Sequence, residues 1–325
     1  MSFFSVLNDL LHPAPPPSEA VLRALGRIGE LVDPLLPTLG AFEKTLAGPV
    51  AHVLGYCDGL VAALPGPMEI TRTSFANDPL VHALFATASD IEQMIGRSQA
   101  IRDFLHEPRC WESEHFYAML AARRQEKHQL GIAEEGGVMH SEVPQTVLYF
   151  SDHTLIEPSC QLEETLRGLR CKAFESLLHT FRSHVDALRS SRDELRADVA
   201  EQRSHLFAPQ AHPAEAATRH FAELSEALRT QAESLMPEQV LQALADYLMH
   251  PETALRLTPV SLSVDRLGVI QHAADPLSGA QTITFPELTA RDRRLHLGML
   301  VRIERTEALA AVEAVSDQQH RYMII

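Results

Sequence analysis

Between Gln161 and about Phe207 the chain has no proline and a single glycine, Gly168. Apolar residues recur through it at Leu162, Leu166, Leu169, Ala173, Leu177, Phe181, Val185, Leu188, Leu195, Val199 and Leu206. This spacing predicts one continuous helix about 70 Å long, at ~1.5 Å per residue. From Phe181 onward the steps alternate between four and three, with Arg192 and Gln202 at seam positions, so the stripe reads as a coiled-coil-like seam with polar interruptions. "APQAHP" then breaks the helix, and Ala214 to His250 returns as a second arm carrying Phe221, Leu224, Leu228 and Leu235. Met236-Pro237 should restart that arm, because proline cannot continue the hydrogen-bond ladder. A helix out and a helix back form an antiparallel hairpin, which returns the chain to the place it left.

The segments flanking the hairpin read as extended. "GGVMHSEVPQTVLYFSDHTLIEP" has β-branched and aromatic residues in short runs, with Gly136-Gly137 and Ser151-Asp152 as turn signals. "VSLSVDRLGVIQH", "AQTITFPEL" and "LHLGMLVRIER" follow the hairpin. Because the hairpin brings its ends together, the strands of 137–157 and 260–304 are expected to share one sheet or small barrel, which is viable where two strands alone would be marginal.

Upstream, helices are expected at 2–12, from Ser18 to about Val32, and at about 37–46, 48–64, 78–106 and 109–130, with Asn77 or Asp78 capping the helix that starts at Pro79. The fold class is α+β, mostly α: an N-terminal helical bundle, then a small β-sheet or barrel interrupted by a long antiparallel helical hairpin. The expected organisation is an α-helical domain over 1–130, a composite β-unit from 131–160 and 256–305, a hairpin insertion over 161–250, and a C-terminal helix and tail over 306–325.

Asp and Glu number 43 against 28 Lys and Arg, a formal charge of −15. Such a chain repels phosphate backbones, which argues against general nucleic-acid binding, although a local basic patch could hold one small anionic ligand. Cys57, Cys110, Cys160 and Cys171 are widely spaced with no C-x-x-C pair, so they form neither a disulfide scaffold nor a zinc knuckle. The first residues lack the basic stretch and cleavage site of a secretory signal. The most apolar stretch, "LAGPVAHVLGYCDGLVAALPGPM", is broken by Gly, Pro, His52 and Asp58, against a membrane-spanning helix. A cytoplasmic protein is expected.

Candidate chemistry is sparse. Glu112 and His115 are spaced i to i+3, which on a helix puts carboxylate and imidazole on one face, the half-site used by di-iron carboxylate bundles. No second Glu-x-x-His is present, and an exposed polar helix start, with Glu112 and Glu114 favouring the N-terminal dipole, is the commoner meaning of such a pair. His179 and His184 are five apart and point to different helix faces. Asp152-His153 reads as decoration of a turn. No nucleophile elbow, Walker loop or dinucleotide fingerprint occurs. The densest basic run is "TARDRRLH", where Arg291, Arg293 and Arg294, with Arg302 and Arg305 nearby, locally reverse the sign of an acidic chain; forked guanidinium donors suit phosphate or carboxylate.

"VSLSVDRLGVIQH" followed by "LHLGMLVRIERTEA" resembles the later strands of PilZ domains. That resemblance implies a six-stranded barrel binding cyclic di-GMP, through a loop patterned Asp/Asn, Ser two later and Gly three later, and an Arg-x-x-x-Arg ahead of the first strand. The matching positions here are Ser263, Asp265 and Gly268, of which the glycine agrees; the nearest arginine equivalents are Arg123 or Arg124 with Lys127 or His128. The resemblance covers about 45 of the 325 residues.

Two classes of function follow. The first is a non-enzymatic scaffold or regulatory protein without a cofactor, using the hairpin for self-association or docking of a protein partner and the β-unit as a binding platform. Its seam is Phe181, Val185, Leu188, Leu195 and Val199. The second is a metal-carboxylate enzyme built on Glu112 and His115. Cyclic-dinucleotide binding is an offshoot of the first.

Overall fold

A computed structural model describes residues 17–135, 138–206, 215–265, 267–271, 280–290 and 295–323. The expected N-terminal helix at 2–12 and the arginine turn at 291–294 lie outside the described residues.

The fold is α+β and mostly helical. The chain separates into two compact units, Met1–Tyr56 with Phe174–Pro251, and Cys57–Ala173 with Glu252–Ile325. The early helices are therefore divided: those up to Tyr56 cluster with the hairpin, and those after it with the sheet.

In the first unit, α1 (Glu19–Leu31) starts where the Ser18 hydroxyl accepts from Val21 N at 3.4 Å, and it buries Val21, Ala24, Leu25 and Ile28. α2 (Phe42–Ala62) runs through Pro49 as one helix where two were expected, and it carries residues of both units. So does the long helix α7 (Leu162–Leu206). α8 (Glu215–Ser234) returns, and α9 (Pro237–Leu248) restarts at the proline. Two contacts fix the sense of the pair: Tyr247 Oη donates to Leu177 O at 3.1 Å, and Gln231 Nε2 to Leu188 O at 3.1 Å. The partner number falls as the α7 number rises, so the helices are antiparallel.

The second unit is built on one sheet. After β1 (Met68–Glu69) come four short helices, α3 (Arg72–Asn77), α4 (Pro79–Leu84), α5 (Ala88–Arg97) and α6 (Gln99–Leu105). The last three occupy the stretch expected to be one helix over 78–106. Asp78 caps α4 by accepting from Leu80 N at 2.8 Å and Val81 N at 3.1 Å.

β2 (His115–Glu135) overturns the helix expected over 109–130. Phe116, Ala118, Leu120 and Ala122 are all fully buried, a strict period of two. Ala, Met, Leu, Arg, Gln and Glu give this segment helix propensity, but burying one face against a core outweighs a preference of tenths of a kcal/mol per residue. β3 (Val138–Ser159) follows as one strand that runs through the expected turn at Ser151-Asp152. Its three positive-φ residues, Glu142, Asp152 and Glu157, each stand unpaired where the β2–β3 register shifts. The expected turn at Ser151-Asp152 is thus a bulge, which bends a strand without ending it.

β4 (Leu255–Val264), β5 (Gln281–Ala290) and β6 (Leu295–Glu304) join the strands that precede the hairpin in the order β3-β2-β6-β5-β4, with β1 parallel to β6. The sheet curls: Phe150 of β3 and Phe285 of β5, three strands apart, meet edge to face at 5.5 Å. It remains open. Two isolated bridges, Val147↔Val269 and Val264↔Ile270, reach across the gap between β3 and β4. α10 (Arg305–Met323) closes the core, with Ala308 and Ala311 packed beside Ile91, Ile95, Leu297, Met299 and Val301. Among the described residues no helix is long and apolar enough to cross a membrane.

Candidate functional site

Along α7 the seam divides in two. Phe181 and Val185 are buried, with the Phe181 ring 5.3 Å from that of Tyr247 on α9. Beyond Val185 no described residue of α7 is buried, and α8 buries none at all. Leu188, Leu195, Val199, Phe221, Leu224 and Leu228 are only half-covered. The register set by Leu188 and Gln231 carries Leu195 to about Leu224 and Val199 to about Phe221, so each arm covers one side of the other's stripe and leaves the rest to water. Charges on the α7 part of the arm nearly balance. From Asp186 to Leu206 there are five acids and four arginines, and Arg189–Asp186, Arg192–Asp193 and Arg229–Glu226 are paired.

In the β-unit, the loop after β4 meets β3 at the positions singled out by the PilZ resemblance. Asp265 Oδ1 accepts from Leu267 N at 2.8 Å and from Val269 N at 2.9 Å, so this carboxylate holds its own loop. Gly268 has φ +80°, and a Cβ there would stand 2.8 Å from Leu148 O, while its own carbonyl accepts from Leu148 N at 2.8 Å. Only glycine satisfies both demands. Ser263 lies on β4, its carbonyl accepting from Gln271 N. Loop and strand border a cavity of ≈350 Å³ lined among others by His82, Leu84, Phe85 and Gln281.

The expected arginines are dispersed. Arg291, Arg293 and Arg294 lie outside the described residues. Arg302 pairs with Glu69, and Arg123 stands 3.9 Å from Asp152. Arg124 is nearly buried and bonds Glu287 at 2.5 Å across the curl of the sheet. That ion pair has no local sequence signal, since its members are far apart in the chain and meet only because β2 and β5 face each other.

Glu112 sits in the turn before β2 and His115 is the first residue of that strand. The helical face assumed for them does not exist. His115 Nε2 instead lies 3.1 Å from Tyr117 Oη, and no group of three or more His, Cys, Asp or Glu that could hold a metal occurs among the described residues.

Sequence reading also missed the place of His153. The bulge at Asp152 turns its ring inward, where Nε2 lies 2.8 Å from Leu84 O and the imidazole stacks on Phe85 at 4.7 Å. Burial holds its pKa below the ordinary value, against smaller opposing contributions from the Leu84 carbonyl, Asp90 and Asp152. The chain matches no family model, no curated protein and no solved structure.

Proposed function

We propose that this chain is a non-enzymatic interaction protein that associates with a second copy of itself through the distal helical hairpin and uses the β-unit as a binding platform. The observation that carries the reading is the arm from Asp186 out along α7 and back along α8, which buries no described residue although it holds an apolar seam. Completing the half-burial of three such side chains contributes roughly 2–4 kcal/mol per protomer, at about 1.5–3 kcal/mol for full burial of each. The α7 part of the arm carries five acids and four arginines, so little net charge there opposes self-pairing. Phe181 and Val185, already covered within the chain, serve the fold of the arm's base. Light scattering tests the reading: wild type should run above 36.0 kDa, and Leu195→Glu with Val199→Glu should bring it to that mass with helical circular dichroism retained. A wild type that runs at the single-chain mass at every concentration overturns it.

A second reading, reception of an anionic ligand of the cyclic di-GMP kind, is favoured by one observation. Gly268 has a positive φ and touches β3 where the PilZ resemblance calls for its glycine. Calorimetric titration of cyclic di-GMP at low salt tests it, and absence of binding at millimolar ligand removes it.

A further inference from the structure

The antiparallel pairing of β2 with β3 brings the segment ahead of β2 back beside the end of β3. Tyr117 is registered with Ser159; Cys110 ends the short turn ahead of β2, and Cys160 follows β3 directly. The Cys160 thiol donates at 3.5 Å to the carbonyl of Arg109, the residue next to Cys110, and packs against the core cluster that contains Cys110. A third group joins them. The Arg305 guanidinium lowers the pKa of the Cys110 thiol against the effect of its burial, and its Nε is buried with no hydrogen-bond partner. α10 begins at Arg305, whose backbone N–H is held by Glu114 O at 2.9 Å, so the cation is built into the same corner.

We propose that Cys110 and Cys160 are a peroxide-responsive dithiol that closes to a reversible disulfide at the junction of the sheet and α7. Cys160 is partly exposed and Cys110 fully buried, which gives the two thiols different roles. The Cys160 thiolate attacks the peroxide O–O bond and becomes a sulfenic acid, releasing one water once its departing oxygen is protonated. The Cys110 thiol then attacks the Cys160 sulfur, its proton leaves with the sulfenic oxygen as a second water, and the S–S bond forms. Two thiols are oxidised and one peroxide is reduced. Burial and the Cys160 neighbour push the Cys110 thiol up while Arg305 draws it down, which suits a resolving thiol that stays protonated until its partner is oxidised. The other two cysteines provide an internal contrast. Cys57 is buried on α2 and pushed up to about 12 by that burial, with only a field interaction to the exposed Cys171.

The test uses the full chain with one to a few equivalents of hydrogen peroxide, alkylation of residual thiols, and peptide mapping by mass spectrometry. A single intramolecular Cys110–Cys160 linkage is expected, with the mass of two hydrogens lost, reversed by dithiothreitol. Cys110→Ser should stop the reaction at a Cys160 sulfenic acid that dimedone traps. Alkylation of Cys160 after oxidation, a Cys57–Cys171 linkage formed in preference, or only intermolecular linkages would each overturn the proposal. The wild-type map decides it even where a variant fails to fold.

Discussion

Gly96, in the last turn of α5, lies hard against the backbone of α10. A Cβ built there would collide with Ala311 O of α10 and stand 2.6 Å from Val315 Cγ2. Val315 could rotate; a helix carbonyl cannot. Relief requires α5 and α10 to part by about 1 Å, and a gap of that size forfeits a quarter to a half of the dispersion between facing atoms. Overpacking of this kind costs about 1–3 kcal/mol. Against it stands the gain of replacing glycine by alanine in a helix, at most ~1 kcal/mol and less in a final turn. The steric cost wins, and Gly96→Ala should destabilise by roughly 1–2 kcal/mol. Trp111, the single tryptophan, belongs to this unit, so its fluorescence in urea follows the relevant transition. At a slope of about 2 kcal/mol per molar the midpoint should fall by roughly 0.5–1 M with the slope unchanged. Gly59→Ala in α2 is the control: nothing lies within 4 Å of the point its methyl would occupy, so the propensity gain should appear unopposed. A Gly96→Ala midpoint at or above wild type would refute the close approach of α5 and α10.

His153 should make the second unit sensitive to acid. Its folded pKa lies below the ordinary value, so the unfolded chain binds more protons in the window just below about 6.5, and stability present above that window is lost as pH falls through it. In urea midpoints measured from pH 7.5 to 5, His153→Gln should be weaker at pH 7.5 but lose less on acidification, and parallel curves would remove His153 as the cause. If cyclic di-GMP binds, Arg293→Ala with Arg294→Ala should weaken it at least tenfold and flatten its salt dependence, while equal binding by both proteins would clear the arginine turn of any part in it.

The hairpin was legible because helix periodicity is local: seam spacing, an unbroken run and a proline restart can all be read without knowing a partner. The shared sheet was legible one step further out, since a hairpin must return the chain to its origin. β2 failed for the opposite reason. Its alternation of Phe116, Ala118, Leu120 and Ala122 was present in the residues, but alanine is a weak marker of a buried strand face and a strong helix former. That single misreading produced the metal half-site, because Glu112 and His115 share a face only on a helix.

The bulges extend the same argument to the sites. Positive φ at Asp152 is a local event, yet its effect, turning His153 onto Leu84 and Phe85, depends on a helix far upstream. Cys110 and Cys160 are more distant still, and spacing rules for cysteines look for neighbours in sequence. What brings them together is a strand pair in which the start of β2 is registered with the end of β3, Tyr117 with Ser159. Once β2 is a strand, the antiparallel return of β3 makes that meeting a matter of topology, and the thiol pair needs no motif to announce it.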